Sequence, residues 1–116
     1  LIDRTGKKIK VVSEVAQALG LKNVQAAQMS GEEEKGKYDF VVSRAVMPLP
    51  DLVKIIKKNV DHKRQQNSLP NGLLCLKGGD LTAETHPFKN IVSTTEISQF
   101  FNEEWFKQKY VIYLPL

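Results

Sequence analysis

The segment Lys37–Leu52, KYDFVVSRAVMPLPDL, most constrains what this chain can fold into. Its block Tyr38–Val42 joins aromatic and β-branched residues into a short apolar run, the composition of a strand buried on both faces of a parallel sheet. The run stops at Ser43 and Arg44. Pro48 and Pro50 then punctuate the passage into a helix predicted to run from Pro50 to about Asn59. In open α/β sheets ligands bind beyond the carboxyl ends of the strands, so a guanidinium at that point is placed for binding or chemistry. An ordinary surface arginine, or one paired with a carboxylate under covering helices, satisfies the same position, and position alone leaves these readings open.

With 116 residues, 41% of them hydrophobic, the chain has material for one domain and a single modest core. Seventeen Lys and Arg against 13 Asp and Glu give a formal charge of +4, a mild basic bias compatible with a polyanionic partner. Cys75 is the only cysteine and lies in an apolar run, which excludes an intramolecular disulfide and points to a reducing compartment. With only Lys77 nearby to lower its thiol pKa, Cys75 is expected to be buried and inert. No apolar run approaches the roughly eighteen residues of a membrane span, and no signal-peptide pattern opens the chain, so a soluble, cytoplasmic protein is expected.

In chain order, Leu1-Ile2-Asp3-Arg4 reads as the end of a strand, because two branched apolar residues meet an acid and a helix-start signal at Thr5-Gly6. Lys7–Leu19 carries Val11, Val12, Val15, Ala18 and Leu19 at helical spacing, and Gly20 stands where a left-handed residue ends a helix. Asn23–Met29 is predicted as a short strand, followed by a polar turn in which Glu33 and Glu34 read as a solvated face and Glu32 stands nearest the strand end. The second helix has an apolar stripe of Leu52, Ile55, Ile56 and Val60. Its other face, Lys54, Lys57 and Lys58, continues into His62, Lys63 and Arg64 as either solvated decoration or a nucleic-acid surface. Leu73–Leu76 is a further buried-strand candidate ending in Lys77-Gly78-Gly79, a basic residue again at a strand end. His86 reads as a surface histidine. Ile91–Ile97 and Lys109–Leu114 close the chain as an antiparallel pair. Phe100, Phe101, Trp105 and Phe106 between them read as a core plug or hairpin packing before a base-stacking platform.

This order describes an α/β fold, a three-layer sheet, mostly parallel, with an antiparallel edge. Asp3 at the first strand end suits a ribose, whose two hydroxyls a carboxylate accepts, although capping the following helix would equally explain it. LIDRTGKKIKVV, the ALGLKNV turn, KYDFVVSRAVMPLPDL and GLLCLKGG together resemble the RsmG/GidB family of bacterial small-subunit rRNA methyltransferases, with VVSRAV and the downstream PLPDL the most specific part. The resemblance covers essentially the whole chain. It implies a Rossmann-like class I fold that uses S-adenosyl-L-methionine to methylate N7 of a guanine in 16S rRNA, with the small ribosomal subunit as partner. It further implies no metal and a monomer at full length.

Residue by residue, the resemblance makes Asp3 the ribose-binding acid and Arg44 a residue of the cofactor and catalytic pocket. Gly31-Glu32 stands where the family lines its adenine pocket, and Ser30 stands where family members usually carry an arginine. Lys77 matches a lysine that faces the RNA or the guanine, counted with Arg44 as catalytic, and Lys107 or Lys109 takes the place of a further RNA-binding basic residue. The family's N-terminal helical region and its Gly-rich cofactor loop, with the central first strand, have no counterpart here. The expectation is therefore a single partial methyltransferase domain over residues 1–116, inactive in isolation. The rival expectation is a non-catalytic nucleic-acid-binding or interaction module using Lys54–Arg64.

Overall fold

A computed structural model describes residues 1–44 and 47–116; Ala45 and Val46, within the VVSRAV motif, lie outside the described residues. The chain divides into two compact units, Leu1–Lys35 and Gly36–Leu116. The architecture is α/β, with parallel and antiparallel strand pairs.

In the smaller unit, β1 (Ile2–Asp3) pairs in parallel with β2 (Ala27–Gln28), with Asp3 opposite Gln28. Between them runs α1 (Gly6–Ala18), which ends as expected at Gly20 with φ +68°. The helix starts after Thr5, whose N–H is accepted by Asp3 Oδ1 at 2.7 Å. The half-buried apolar side chains of α1 are Ile9, Val12 and Ala16, while Val11, Val15 and Leu19 are exposed. The helix thus carries two apolar stripes. The one expected to face inward is mostly the open one, with only Val12 of it half-buried.

The larger unit holds a four-stranded sheet in the order β3 (Phe40–Arg44), β4 (Gly72–Gly78), β6 (Lys109–Pro115), β5 (Ser93–Glu96). β3 and β4 are parallel, and both pairs involving β6 are antiparallel. The helix α2 (Leu49–Ile56) follows β3 and continues as a 3-10 turn over Lys57–Asn59. Pro50 sits in its first turn, where a missing N–H breaks no intrahelical bond.

The core explains why α2 forms. Leu49, Leu52, Val53 and Ile56 close over Leu73, Cys75, Ile112 and Leu114, with Val60 fully buried in the same cluster. Burying side chains of this size stabilises by roughly 1.5–3 kcal/mol each. Strand alternation puts Val41, Leu73, Cys75 and Lys77 on this covered face. It puts Val42, Arg44, Leu76 and Gly78 on the opposite face, where Val42 is 71% and Leu76 41% exposed. The strand expected to be buried on both faces is therefore buried on one.

Two further expectations change. The stretch after β4, for which no helix was expected, contains α3 (Thr82–Thr85), started by Asp80, whose Oδ1 accepts hydrogen bonds from the Thr82 N–H and hydroxyl. The aromatic cluster before β6 does not plug the core: Phe100, Phe101 and Trp105 are exposed. They lie in a connection of short 3-10 turns that packs on itself, with Phe101 5.1 Å and Trp105 5.2 Å from Phe106 between ring centres.

Candidate functional site

Each unit presents the carboxyl ends of a parallel strand pair, and the singled-out residues gather there. In the smaller unit the Met29 N–H donates to the Asp3 carbonyl at 3.0 Å, which sets the chain leaving β2 beside the end of β1. Asp3 and the turn Ser30–Glu32 thus share one strand-end edge. The Thr5 N–H, first among its influences, holds the Asp3 carboxyl below its usual value, so it is anionic at neutral pH. Glu32 is likewise lowered, first by its own backbone N–H and then by the Ser30 hydroxyl and Arg4. Arg4 Nη2 lies 3.2 Å from Glu32 Oε2. Arg4 therefore brings a guanidinium to Glu32, while Ser30 Oγ donates to Glu33 Oε1 at 3.0 Å. An ionised carboxylate keeps acceptor capacity beyond a single bond, so Asp3 can hold the Thr5 N–H just before α1 and still receive the hydroxyls of a ribose. Both expected roles are compatible at this residue.

In the larger unit Arg44 is the last residue of β3, exposed, and in register with Leu76 of β4. Lys109, the first residue of β6, is in register with Gly78, so Lys109 belongs to the same end of the sheet and the same open face as Arg44. Its Nζ stands 5.1 Å above the Trp105 ring centre, a cation–π contact on the exposed aromatic cluster. Lys107 projects from the preceding turn and pairs with Glu104 Oε2 at 3.0 Å, both side chains in solvent.

Lys77, for which an RNA-facing role was expected, lies on the other face. Its side chain is 7% exposed, and Nζ is held by the Met47 carbonyl at 2.7 Å and by Glu84 Oε1 at 2.8 Å. Glu84 is a partner that the sequence pattern alone does not reveal; Asp80 and Thr82 carry the helix-start signal that places it. Burial pushes the neighbouring Cys75 thiol up to about 11, so it is protonated and unreactive at neutral pH. The basic stretch Lys54–Arg64 lines the outer side of α2 and the loop after it, with Lys54, Lys57, His62, Lys63 and Arg64 exposed. Among the described residues no helix is long and apolar enough to cross a membrane, and no group of three His, Cys, Asp or Glu could hold a metal ion.

Comparison with known proteins agrees with the residues that carried the resemblance. A protein from Bacteroides fragilis named Ribosomal RNA small subunit methyltransferase G is 55% identical over 116 residues, covering all of this chain and 56% of that protein. Proteins of the same name from Bacteroides thetaiotaomicron and Parabacteroides distasonis are 58% identical over 113 residues and 56% identical over 116, covering 54% and 50% of their lengths. The chain spans about half the length of these curated relatives. The profile of the family described as rRNA small subunit methyltransferase G, GidB, matches residues 1–109, and the α/β arrangement is that of a truncated Rossmann-like methyltransferase fold: the chain belongs to this family.

Proposed function

We propose that the chain is the strand-end half of an rRNA methyltransferase that transfers a methyl group from S-adenosyl-L-methionine to guanine N7 of 16S rRNA. The observation that carries this reading is the likeness, along the entire chain, to proteins named Ribosomal RNA small subunit methyltransferase G. The donor set of the smaller unit fits such a cofactor. Asp3, anionic at neutral pH, is the ribose acceptor; Gly31 and Glu32 line the adenine side, with Glu32 held by Arg4. When bound, the cofactor supplies an electrophilic methyl group.

The nucleophile needs little chemical help. N7 of guanine bears a lone pair and no proton, so alignment matters more than a general base. Arg44, exposed on the open face of β3, orients the base through O6 or a neighbouring phosphate. A bidentate grip on O6 and N7 would occupy the reacting atom, so the contact must leave N7 free. Lys109 on the same face and Lys107 beside it meet RNA phosphates, whose attraction is sequence-independent. Water and cytoplasm are the setting in which this substrate occurs.

The test is methyl transfer to 16S rRNA by a full-length version, in which these residues are joined to the remainder found in the relatives, with the product mapped at guanine N7. Arg44→Ala is expected to lower kcat/KM by about 10- to 100-fold. Cofactor affinity and turnover both unchanged in that variant would remove Arg44 from the site. A nucleic-acid module using Lys54–Arg64 predicts instead RNA binding that disappears with the charges of Lys54, Lys57, Lys58 and Arg64, without any cofactor binding.

A further inference from the structure

A lysine on the covered face of a sheet calls for explanation, because burying an ammonium is costly and an apolar residue there is often at least as stable. Lys77 follows Leu73 and Cys75 on the face of β4 that lies under α2. Its partners converge on one short stretch of chain. Nζ donates to the Met47 carbonyl at 2.7 Å and meets Glu84 Oε1 at 2.8 Å, and that same Oε1 accepts the Leu49 N–H at 3.2 Å. Leu49 is the first residue of α2, whose N-cap, Pro48, offers no side-chain bond. Glu84 therefore supplies the acceptor that Pro48 cannot, and adds its negative charge to that of Asp51 in the first turn. Arg44 lies three residues before Met47, and its register partner Leu76 immediately precedes Lys77. The ion pair thus ties the end of β4, in register beside Arg44, to Met47 and the start of α2, from the face opposite to Arg44.

We infer that Lys77 is a positioning residue of the Arg44 site: through Glu84 and the Met47 carbonyl it ties the end of β4, beside Arg44, to Met47 and the start of α2, and it does not touch RNA. This deepens the methyltransferase reading and rests on it. The geometry is specific where an apolar core residue would not be. One ammonium and one carboxylate lock three segments, the end of β4, α3 and the start of α2, in a single arrangement next to the strand end that carries Arg44.

The experiment compares Lys77→Met, Lys77→Arg and Glu84→Gln in the full-length version, with kcat normalised to folded protein. Lys77→Met should lower kcat for 16S rRNA at least tenfold with KM for RNA changed less than twofold. The salt dependence of RNA affinity should stay as in the parent, because no phosphate contact is lost. Lys77→Arg, which keeps the charge, should regain part of kcat, and Glu84→Gln should fall between. Hydrogen exchange at the Leu49 amide should accelerate about tenfold in Glu84→Gln, a local change that a general loss of stability would spread over β4 and β6 as well. A raised KM with a shallower salt slope would place Lys77 against a phosphate and overturn the inference, as would an unchanged kcat in Lys77→Met. Should Lys77→Met fail to fold, Lys77→Arg and Glu84→Gln decide alone. A parent protein that transfers no methyl group would defeat the functional reading instead, and Leu49 exchange in Glu84→Gln would still report whether the bridge holds the start of α2.

Discussion

In Leu1–Lys35 a helix of 13 residues buries none of its side chains, whereas in Gly36–Leu116 a helix of eight residues buries four. Both follow a parallel strand, and both have an apolar stripe. The difference lies in what the stripe meets: α2 closes over three long strands, while α1 has beside it two strands of two residues each. Helix length and composition are weak determinants of stability compared with a tertiary partner for the apolar face. The comparison also divides the site chemistry. Asp3 and Glu32 stand in the unit that carries local hydrogen bonds and the exposed Arg4–Glu32 ion pair, and Arg44 stands on a strand anchored in a core.

The largest test of this contrast is truncation. Leu73→Ala, in the centre of the core, should cost about 2–5 kcal/mol in denaturant unfolding. Val15→Ala in α1 should change stability by less than about 0.5 kcal/mol. Equal costs would mean that α1 is buried to the same degree as β4. Hydrogen exchange should agree, with α1 amides opening locally and β4 and β6 amides only with the larger unit.

Next in size is an alkaline effect confined to the larger unit. The Cys75 thiol is raised from its ordinary 9.0 to about 11 by burial, with Glu84 adding to the rise and Lys77 opposing it. The unfolded chain therefore releases this proton first, and stability falls as pH rises from about 9 to 11, by on the order of 2 kcal/mol. Denaturant curves of the parent and Cys75→Ala across that range should converge as pH rises. Parallel curves would show that the thiol is not desolvated.

The smallest effects belong to the smaller unit. Asp3 and Glu32 are lowered by their hydrogen bonds, so whatever they contribute is present above the unfolded carboxylate range and is lost as pH falls through their folded values. Asp61 and Asp80 in the larger unit behave alike, so acid loosens both units at their turns. Arg4→Ala, removing an exposed pair, should cost less than about 1 kcal/mol, measured as loss of α1 circular dichroism on heating. A larger loss would make that ion pair a structural tie of the unit.

Much of the frame was legible because the signals were local. The aromatic and β-branched residues at 38–42, interrupted only by Asp39, and Pro50 marked β3 and α2, and Gly20 marked the end of α1. β3 begins two residues later than expected, because Tyr38 makes only an isolated bridge to Val60, and it extends to include Arg44. β5 shrinks to Ser93–Glu96, since Ile91 and Val92 complete the turns after α3 and their N–H groups bond to Phe88. The side-chain periods carried more than was read from them. Counted in twos from Leu73, Lys77 already falls under α2, but its place before two glycines suggested the strand mouth. What no local pattern could supply was the partner across space: that Glu84 meets Lys77, that Arg4 meets Glu32, and that the aromatic residues before β6 pack on one another.

The central claim is that strand ends in this chain hold a nucleoside-bearing cofactor, and titration calorimetry of S-adenosylhomocysteine tests it most directly. The full-length version should bind it, and Asp3→Ala should weaken binding at least tenfold, while Lys54→Ala leaves it unchanged. Absence of binding by the full-length version, or binding indifferent to Asp3, would contradict the account.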